Sequence, residues 1–114
     1  MHVEVRKNGD VVIVDMSGRL VGGVGDEILR NVVNELLAES WKKILLNLSG
    51  VTAIDSAGIG ELVACLKTAS HLGASLRILN LNERVRTALH LGCLLPLFEV
   101  YGDEKAAVQS FSAA

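Results

Sequence analysis

Short apolar runs alternate with helix-like segments along most of this chain, and that alternation restricts the folds open to it. The predicted element order is β, β, α, β, α, β, α, β, α, and strands that alternate with helices form right-handed crossovers in a mostly parallel sheet. The first two runs differ, because the pair Asn8-Gly9 stands between them and favours an antiparallel hairpin. We therefore predict an α/β domain whose mixed, mostly parallel sheet begins with an antiparallel hairpin and carries about four helices.

The segment boundaries follow from apolar spacing and from residues that start or stop helices. After the hairpin, strands are predicted at Ile44–Leu48, Ser75–Asn80 and Leu97–Val100. Helices are predicted at 26–40, from Ser56 to about Leu72, between a capping Asn82 and Gly92, and at 103–111. Four glycines stand at 18–25, and the segment 21–26 predicts a mobile loop, because it matches neither common phosphate-binding pattern.

The bulk composition indicates one domain over residues 1–114. The formal charge is −2, from 11 basic and 13 acidic residues scattered along the chain, so there is no basic stripe for direct nucleic-acid binding. The amino terminus lacks an apolar signal core, and no apolar run is long enough for a membrane span. We expect a soluble, cytoplasmic protein with no membrane insertion. Its mean hydropathy of +0.40 hints at apolar surface left for a partner.

The thiols and imidazoles do not form a recognisable site. Cys65 and Cys93 stand alone, and the three histidines lack ligand spacing. We therefore predict no metal, no disulfide and no cofactor.

The most informative stretch runs from Ile54 to Glu61, where a strand passes into a helix. Ser56 is expected at or near the helix N-terminus, whose free N–H groups suit a capping oxygen or an added phosphate. The spacing turns Ile59, Leu62, Val63, Leu66 and Ala69 to one side and Glu61, Ala64, Cys65, Thr68 and His71 roughly opposite. The second set suits a reversible contact. The candidate partner-binding residues are Asp55, Ser56, Ala57, Gly58, Gly60, Glu61, Ala64 and Cys65.

Ser56 has three candidate roles. A hydrolytic nucleophile needs a histidine base, but His71 lies about 22 Å along the same helix, and Ile54 replaces the first glycine of a nucleophile elbow. His2 and His90 stay open by spacing. Alternatively, Asp55 or Ser56 simply caps the helix. The third role is phosphorylation, which would leave the domain folded while making the surrounding surface strongly anionic.

The segment 46–51 and the motif 54–60 resemble the signature of the STAS domain, specifically of bacterial anti-sigma factor antagonists. Those proteins carry Asp-Ser-[Ser/Thr]-Gly-[Leu/Ile]-Gly after an apolar strand. The likeness extends to the hairpin, to Gly18, to the helix opening at Asn82 and to Leu91-Gly92.

The resemblance implies a phosphorylation switch and not an enzyme. Its partner would be an anti-sigma factor with a histidine-kinase-like ATPase fold, which phosphorylates Ser56 and so loses its antagonist, while a serine phosphatase restores the free form. Transcription would be regulated through the released sigma factor. A weak homodimer is a further expected partner.

Two departures from the family pattern bear on this interpretation. Ala57 replaces a second hydroxyl and leaves Ser56 as the motif's one acceptor, while Val21 stands where an acidic residue is usual. The alternative is therefore a non-switching STAS interaction subunit, for example of a lipid-transport ATPase assembly or a scaffold.

Overall fold

Five strands form one sheet within residues 1–112, the part of the chain that the computed structural model describes. Their spatial order follows their order in the chain: β1 (His2–Asn8), β2 (Val11–Leu20), β3 (Lys43–Ile54), β4 (Ser75–Leu79) and β5 (Val100–Tyr101). β1 and β2 pair antiparallel and every later pair is parallel, which confirms the predicted mixed sheet. The last two residues of the predicted domain, 113 and 114, lie outside the described part.

The helices of residues 1–112 follow the strands as predicted. They are α1 (Gly25–Ala38), α2 (Ser56–His71), α3 (Glu83–Leu91) and α4 (Glu104–Ser110), with a 3₁₀ turn at Leu95–Leu97. Parallel neighbours joined by right-handed crossovers place α1, α2 and α3 on one face of the sheet. Asn82 caps α3 by accepting a hydrogen bond from the Val85 N–H at 3.0 Å, and α3 ends at Gly92, as expected.

The fully buried run at the start of β2 shows how the two faces are filled. Val12 and Val14 pack with the residues of α1, α2 and α3, whereas Val11 and Ile13 pack with Ala107 of α4. Successive strand side chains point to opposite faces, so an unbroken apolar run indicates cover on both sides. No helix of the described residues is both long enough and apolar enough to cross a membrane.

Two predicted strands are wrong in extent. β3 runs to Ile54 and does not end at Leu48, because it stays paired with β2 through two register irregularities. Gly50 permits this: a Cβ there would lie 2.8 Å from the Ser17 Cβ. Of the strand predicted at Leu97–Val100, only Val100 belongs to β5, because Leu97 ends a 3₁₀ turn that contains Pro96. Proline lacks an N–H for strand pairing, and its fixed φ suits the turn.

Helix α4 lies across the second face of the sheet and reaches from β1 to β4. Arg6 of β1 donates from Nη1 to Glu104 Oε2 at 2.9 Å and from Nε to Asp15 at 2.6 Å. At the other end, the Arg77 guanidinium of β4 stacks 4.8 Å from the Phe111 ring centroid. The hydrogen bonds from Arg6 hold the pKa of Glu104 below its usual value.

Helix α2 approaches the sheet closely at one glycine. A Cβ on Gly58 would lie 2.0 Å from the Leu20 carbonyl oxygen, whereas a Cβ on Gly60 would meet nothing within 4 Å. The first position therefore needs glycine, and the second does not.

We expect Gly58→Ala and Gly60→Ala to change stability in opposite directions. Alanine at 58 collides with β2 backbone and should destabilise the domain by at least about 1–3 kcal/mol. Alanine at 60 should stabilise it by up to about 1 kcal/mol, because alanine is the better helix former. Urea unfolding followed by circular dichroism measures both, and equal effects at the two positions would contradict this packing.

Candidate functional site

Ser56 is the first residue of α2, and its side chain is exposed at the carboxyl end of β3. The preceding residue, Asp55, has extended backbone dihedrals, and its carbonyl accepts the first helical hydrogen bond from the Ile59 N–H at 2.9 Å. Asp55 is therefore the N-cap, and the Ser56 side chain does not cap the helix. Of the two capping candidates in the sequence, the structure selects the aspartate.

The Asp55 carboxylate joins two separate segments. Its Oδ1 accepts from the Gly58 N–H at 2.9 Å, which caps α2, and its Oδ2 accepts from the Gly22 N–H at 3.0 Å in the loop between β2 and α1. The bonds from Gly22 and then Gly58 stabilise the charged form and lower the pKa of Asp55. The carboxylate thus holds the loop beside the start of α2.

The loop between β2 and α1 is short and lies against the site at Gly22, and the mobility predicted from its glycines stays a prediction. A Cβ on Gly22 would lie 3.1 Å from the Ala57 Cβ, and one on Gly25 would lie 2.3 Å from the Arg19 carbonyl oxygen. These glycines allow close backbone approach. Val21, at the position that is usually acidic in the resembling family, is half-buried in this loop.

The predicted partner-binding residues do not all lie on the surface. Asp55, Ser56, Ala57, Gly60 and Ala64 are exposed, whereas Gly58 and Cys65 are buried, so the predicted exposure of those two residues is wrong. The buried stripe of α2 is Gly58, Leu62, Cys65 and Ala69. It is rotated from the predicted apolar side because α2 packs against α1 as well as against the sheet.

Glu61 shows the contact between the two helices. Its Oε1 accepts from the Arg30 Nε of α1 at 2.9 Å, and its side chain is only 10% exposed. The Cys65 thiol lies 3.6 Å from the other carboxylate oxygen, and burial, followed by this nearby charge, raises the pKa of the thiol. Glu61 thus orients α2 on α1, and Cys65 is an unreactive core residue.

Two exposed apolar side chains on neighbouring elements were missed from the sequence. Val24 is 63% exposed in the loop that Asp55 holds, and Leu91 is 78% exposed at the end of α3. Leu91 lines a groove of about 490 Å³ with Ile54, and Arg84 lies in the same groove. The exposure of Leu91 could have been predicted from the sequence, because Leu91 does not share the helical spacing of the buried Val85 and Leu89.

The histidines are the candidate bases for the Ser56 hydroxyl. His71 ends α2 at the opposite end, about 22 Å away at 1.5 Å per residue, and the His2 ring bonds Glu4 at 3.3 Å. Among the side-chain hydrogen bonds of residues 1–112, none joins Ser56 to a histidine. Over the same residues, no group of three or more His, Cys, Asp or Glu side chains is placed to hold a metal ion.

The fold and the site together define a small α/β domain that presents a capped helix start, with one free hydroxyl, on its surface. The chain belongs to the STAS domain family, whose profile matches residues 2–107. This confirms the family indicated by the sequence motif.

Several relatives share much of the chain. A Thermotoga neapolitana protein, provisionally named an anti-sigma factor antagonist, is 35% identical over 68% of this chain and 69% of its own. A solved structure from Thermotoga maritima with the same provisional name matches at a TM-score of 0.86 and 28% identity, over 95% of this chain and 92% of that one. The anti-sigma factor antagonist SpoIIAA, solved unphosphorylated, shares the fold at a TM-score of 0.74 and 15% identity, over 99% of this chain and 100% of that one. Its phosphorylated form from Bacillus gives 0.72 and 16%, over 96% and 99%.

We expect Asp55→Ala to lower the urea midpoint of unfolding at neutral pH, because the Gly58 and Gly22 N–H groups lose their acceptor. The folded pKa of Asp55 is depressed, so its stabilisation is complete above the unfolded pKa of about 4 and is lost as the pH falls through the folded value. The difference between wild type and variant should therefore shrink below about pH 4. Urea unfolding at a series of pH values measures this.

Asp55→Asn is the matched control, since it keeps a side-chain oxygen acceptor and removes the titrating group. Its midpoint should lie between the other two at neutral pH and keep a constant offset from Asp55→Ala as the pH falls. A wild-type advantage over Asp55→Ala that stayed constant well below pH 4 would contradict the capping role.

Proposed function

We propose that this protein is an anti-sigma factor antagonist that binds its anti-sigma factor while Ser56 is unphosphorylated. The observation that carries the proposal is the exposed hydroxyl of Ser56 at the first position of α2, beside a capping Asp55, in a chain of the STAS family. Relatives that carry the name anti-sigma factor antagonist support the same role. The role needs no catalysis by this chain and places it in the cytoplasm.

The position of Ser56 suits a phosphate group. The first N–H groups of a helix lack intrahelical acceptors, and the helix dipole favours negative charge at that end. α2 is 16 residues long, so its dipole is well developed. SpoIIAA, which has the same fold, has been solved in a phosphorylated form, so this fold tolerates such a group. Asp55 next door opposes the added charge by repulsion, and it already caps the helix.

A phosphate here would change the surface more than the fold. It adds about −1.5 to −2 charges at one point, and the nearest exposed neighbours on α2, Ala57 and Gly60, are small and uncharged. Val24, in the loop that Asp55 holds, and Leu91, in the groove that Ile54 lines, are exposed apolar side chains on neighbouring elements. A partner that buries such a patch would have to desolvate the phosphate, so phosphorylation should release the partner.

The partner in this proposal is an anti-sigma factor with a histidine-kinase-like ATPase fold, acting as the Ser56 kinase, and a serine phosphatase reverses the reaction. The contact surface consists of the exposed members of the predicted set, Asp55, Ser56, Ala57, Gly60 and Ala64, together with Val24 and Leu91. Gly58, Glu61 and Cys65 support that surface from beneath.

Val21 favours a second candidate function. Without an acidic residue at this place in the loop, a kinase has one recognition element fewer, and a non-switching interaction subunit of a transport ATPase assembly or scaffold would need none. Such a subunit would bind its partner whatever the charge at position 56.

The decisive test compares Ser56→Asp with Ser70→Asp in binding to a candidate anti-sigma factor. Both serines are exposed on α2, and they are about 21 Å apart along the helix. We expect Ser56→Asp to weaken binding by at least about tenfold, measured by isothermal titration calorimetry, and Ser70→Asp to leave it unchanged. Equal binding by wild type and Ser56→Asp would favour the non-switching subunit.

Incubation with ATP and the same partner, followed by mass spectrometry, should place a single phosphate on Ser56. Ser56→Ala should abolish the phosphorylation while it keeps partner binding. Phosphate on another residue would contradict the proposed acceptor.

A further inference from the structure

We propose that β1 is a homodimerisation edge: two copies of the chain pair antiparallel through β1 about a two-fold axis at Val5, and their sheets join into one. β1 is an outer strand of the sheet, paired only with β2 among the described strands. β1 has seven residues, whereas the other outer strand, β5, has two. An exposed edge of that length offers a row of unpaired backbone groups.

The hairpin geometry determines which residues offer those groups. Asn8 pairs with Val11 across the two-residue turn Gly9-Asp10, so this pair exchanges both hydrogen bonds. Hydrogen-bonded and non-hydrogen-bonded pairs alternate along an antiparallel ladder. It follows that Val3, Val5 and Lys7 direct their N–H and C=O groups away from β2, towards the free edge.

The side chains then select one register. Charged residues on an edge strand commonly block pairing, and here they exclude the wrong alignments. A two-fold axis at Glu4, Arg6 or Lys7 would place that residue opposite its own copy, whereas an axis at Val3 would pair fewer residues. An axis at Val5 places Glu4 opposite Arg6 of the second copy.

The Val5-centred register also matches the hydrogen-bond pattern. Val5 would pair with Val5 of the second copy, and Val3 would pair with Lys7 of the second copy. The backbone N–H and C=O groups of all three residues point towards the free edge, so both pairs can form hydrogen bonds. Glu4 and Arg6 would form the non-hydrogen-bonded pair, in which Cα atoms approach to about 4.5 Å and side chains are closest. Arg6 already holds Asp15 and Glu104, so the gain at this pair is chiefly the avoidance of like charges.

The edge carries apolar surface that this pairing would cover. Val5 is 49% exposed and lines a groove of about 430 Å³ with Val12, Leu36 and Trp41. In the dimer the two grooves would meet at the axis, with both Val5 side chains between them. Helix α1 connects β2 to β3, so the two copies of α1 would lie about 19 Å apart at a strand spacing of about 4.8 Å, which leaves room for helices about 10–12 Å wide.

Cysteine crosslinking tests the register directly. In a Cys93→Ser background, which leaves only the buried Cys65, Val5→Cys should form a disulfide-linked dimer on mild oxidation, because a Cα separation of about 5.5 Å suits a disulfide. Lys7→Cys, two residues away on the same face, is the matched control and should not link to itself. A mixture of Val3→Cys and Lys7→Cys chains should link as a heterodimer.

Sedimentation velocity over a wide concentration range tests the dimer without modification. Wild type should show concentration-dependent association, and Val5→Pro should weaken it at least about tenfold, since proline removes the N–H of the central pair from each copy. The Val5 N–H does not bond β2, so circular dichroism should show the fold retained. A wild type that stays monomeric throughout, or a Val5→Cys variant that crosslinks no faster than Lys7→Cys, would overturn the proposal. Neither result depends on Ser56, so the proposed switch is tested separately.

Discussion

One carboxylate, that of Asp55, holds together two segments that are distant in the chain. It accepts hydrogen bonds from Gly58 in the first turn of α2 and from Gly22, 33 residues earlier in the chain. The contact is possible because Gly58 lies against the Leu20 backbone with no Cβ between them. The Ser56 side chain is not needed for this cap, because its neighbour Asp55 accepts the Gly58 hydrogen bond. A change in this carboxylate would therefore disturb both the loop and the serine.

The parts of the fold that were predicted correctly have local causes. The hairpin depends on the two-residue turn Gly9-Asp10, and its first residue, Gly9, has the positive φ of 64° that the turn requires. The start of α3 depends on Asn82, which bonds an N–H three residues later. The capped start of α2 depends on Asp55 in the same way. Such signals lie within a few residues of each other, so they can be recognised in a single sequence.

The parts that were predicted wrongly have distant causes. β3 continues past Gly50 because β2 pairs with it irregularly around Ser17. No sequence pattern near residue 50 indicates this pairing. Periodicity predicted that α2 has an apolar side, but its rotation depends on α1, through the pair between Arg30 and Glu61. Cys65 is buried for the same reason. Val24 lies beside the start of α2 because Asp55 holds its loop there, and no pattern near residue 24 shows that contact.

Helix α4 is synthesised last, although the apolar face that it covers is formed by earlier strands. Arg6 and Glu104 are 98 residues apart, yet their ion pair helps to hold α4 on the sheet. Val11, Ile13, Leu45 and Leu79 are covered on that face by the residues of this segment. During synthesis on the ribosome, the residues of this apolar face are therefore made before the segment that covers them. The nascent domain must pass through an interval with that face exposed, in which chaperone binding or aggregation competes with the arrival of α4.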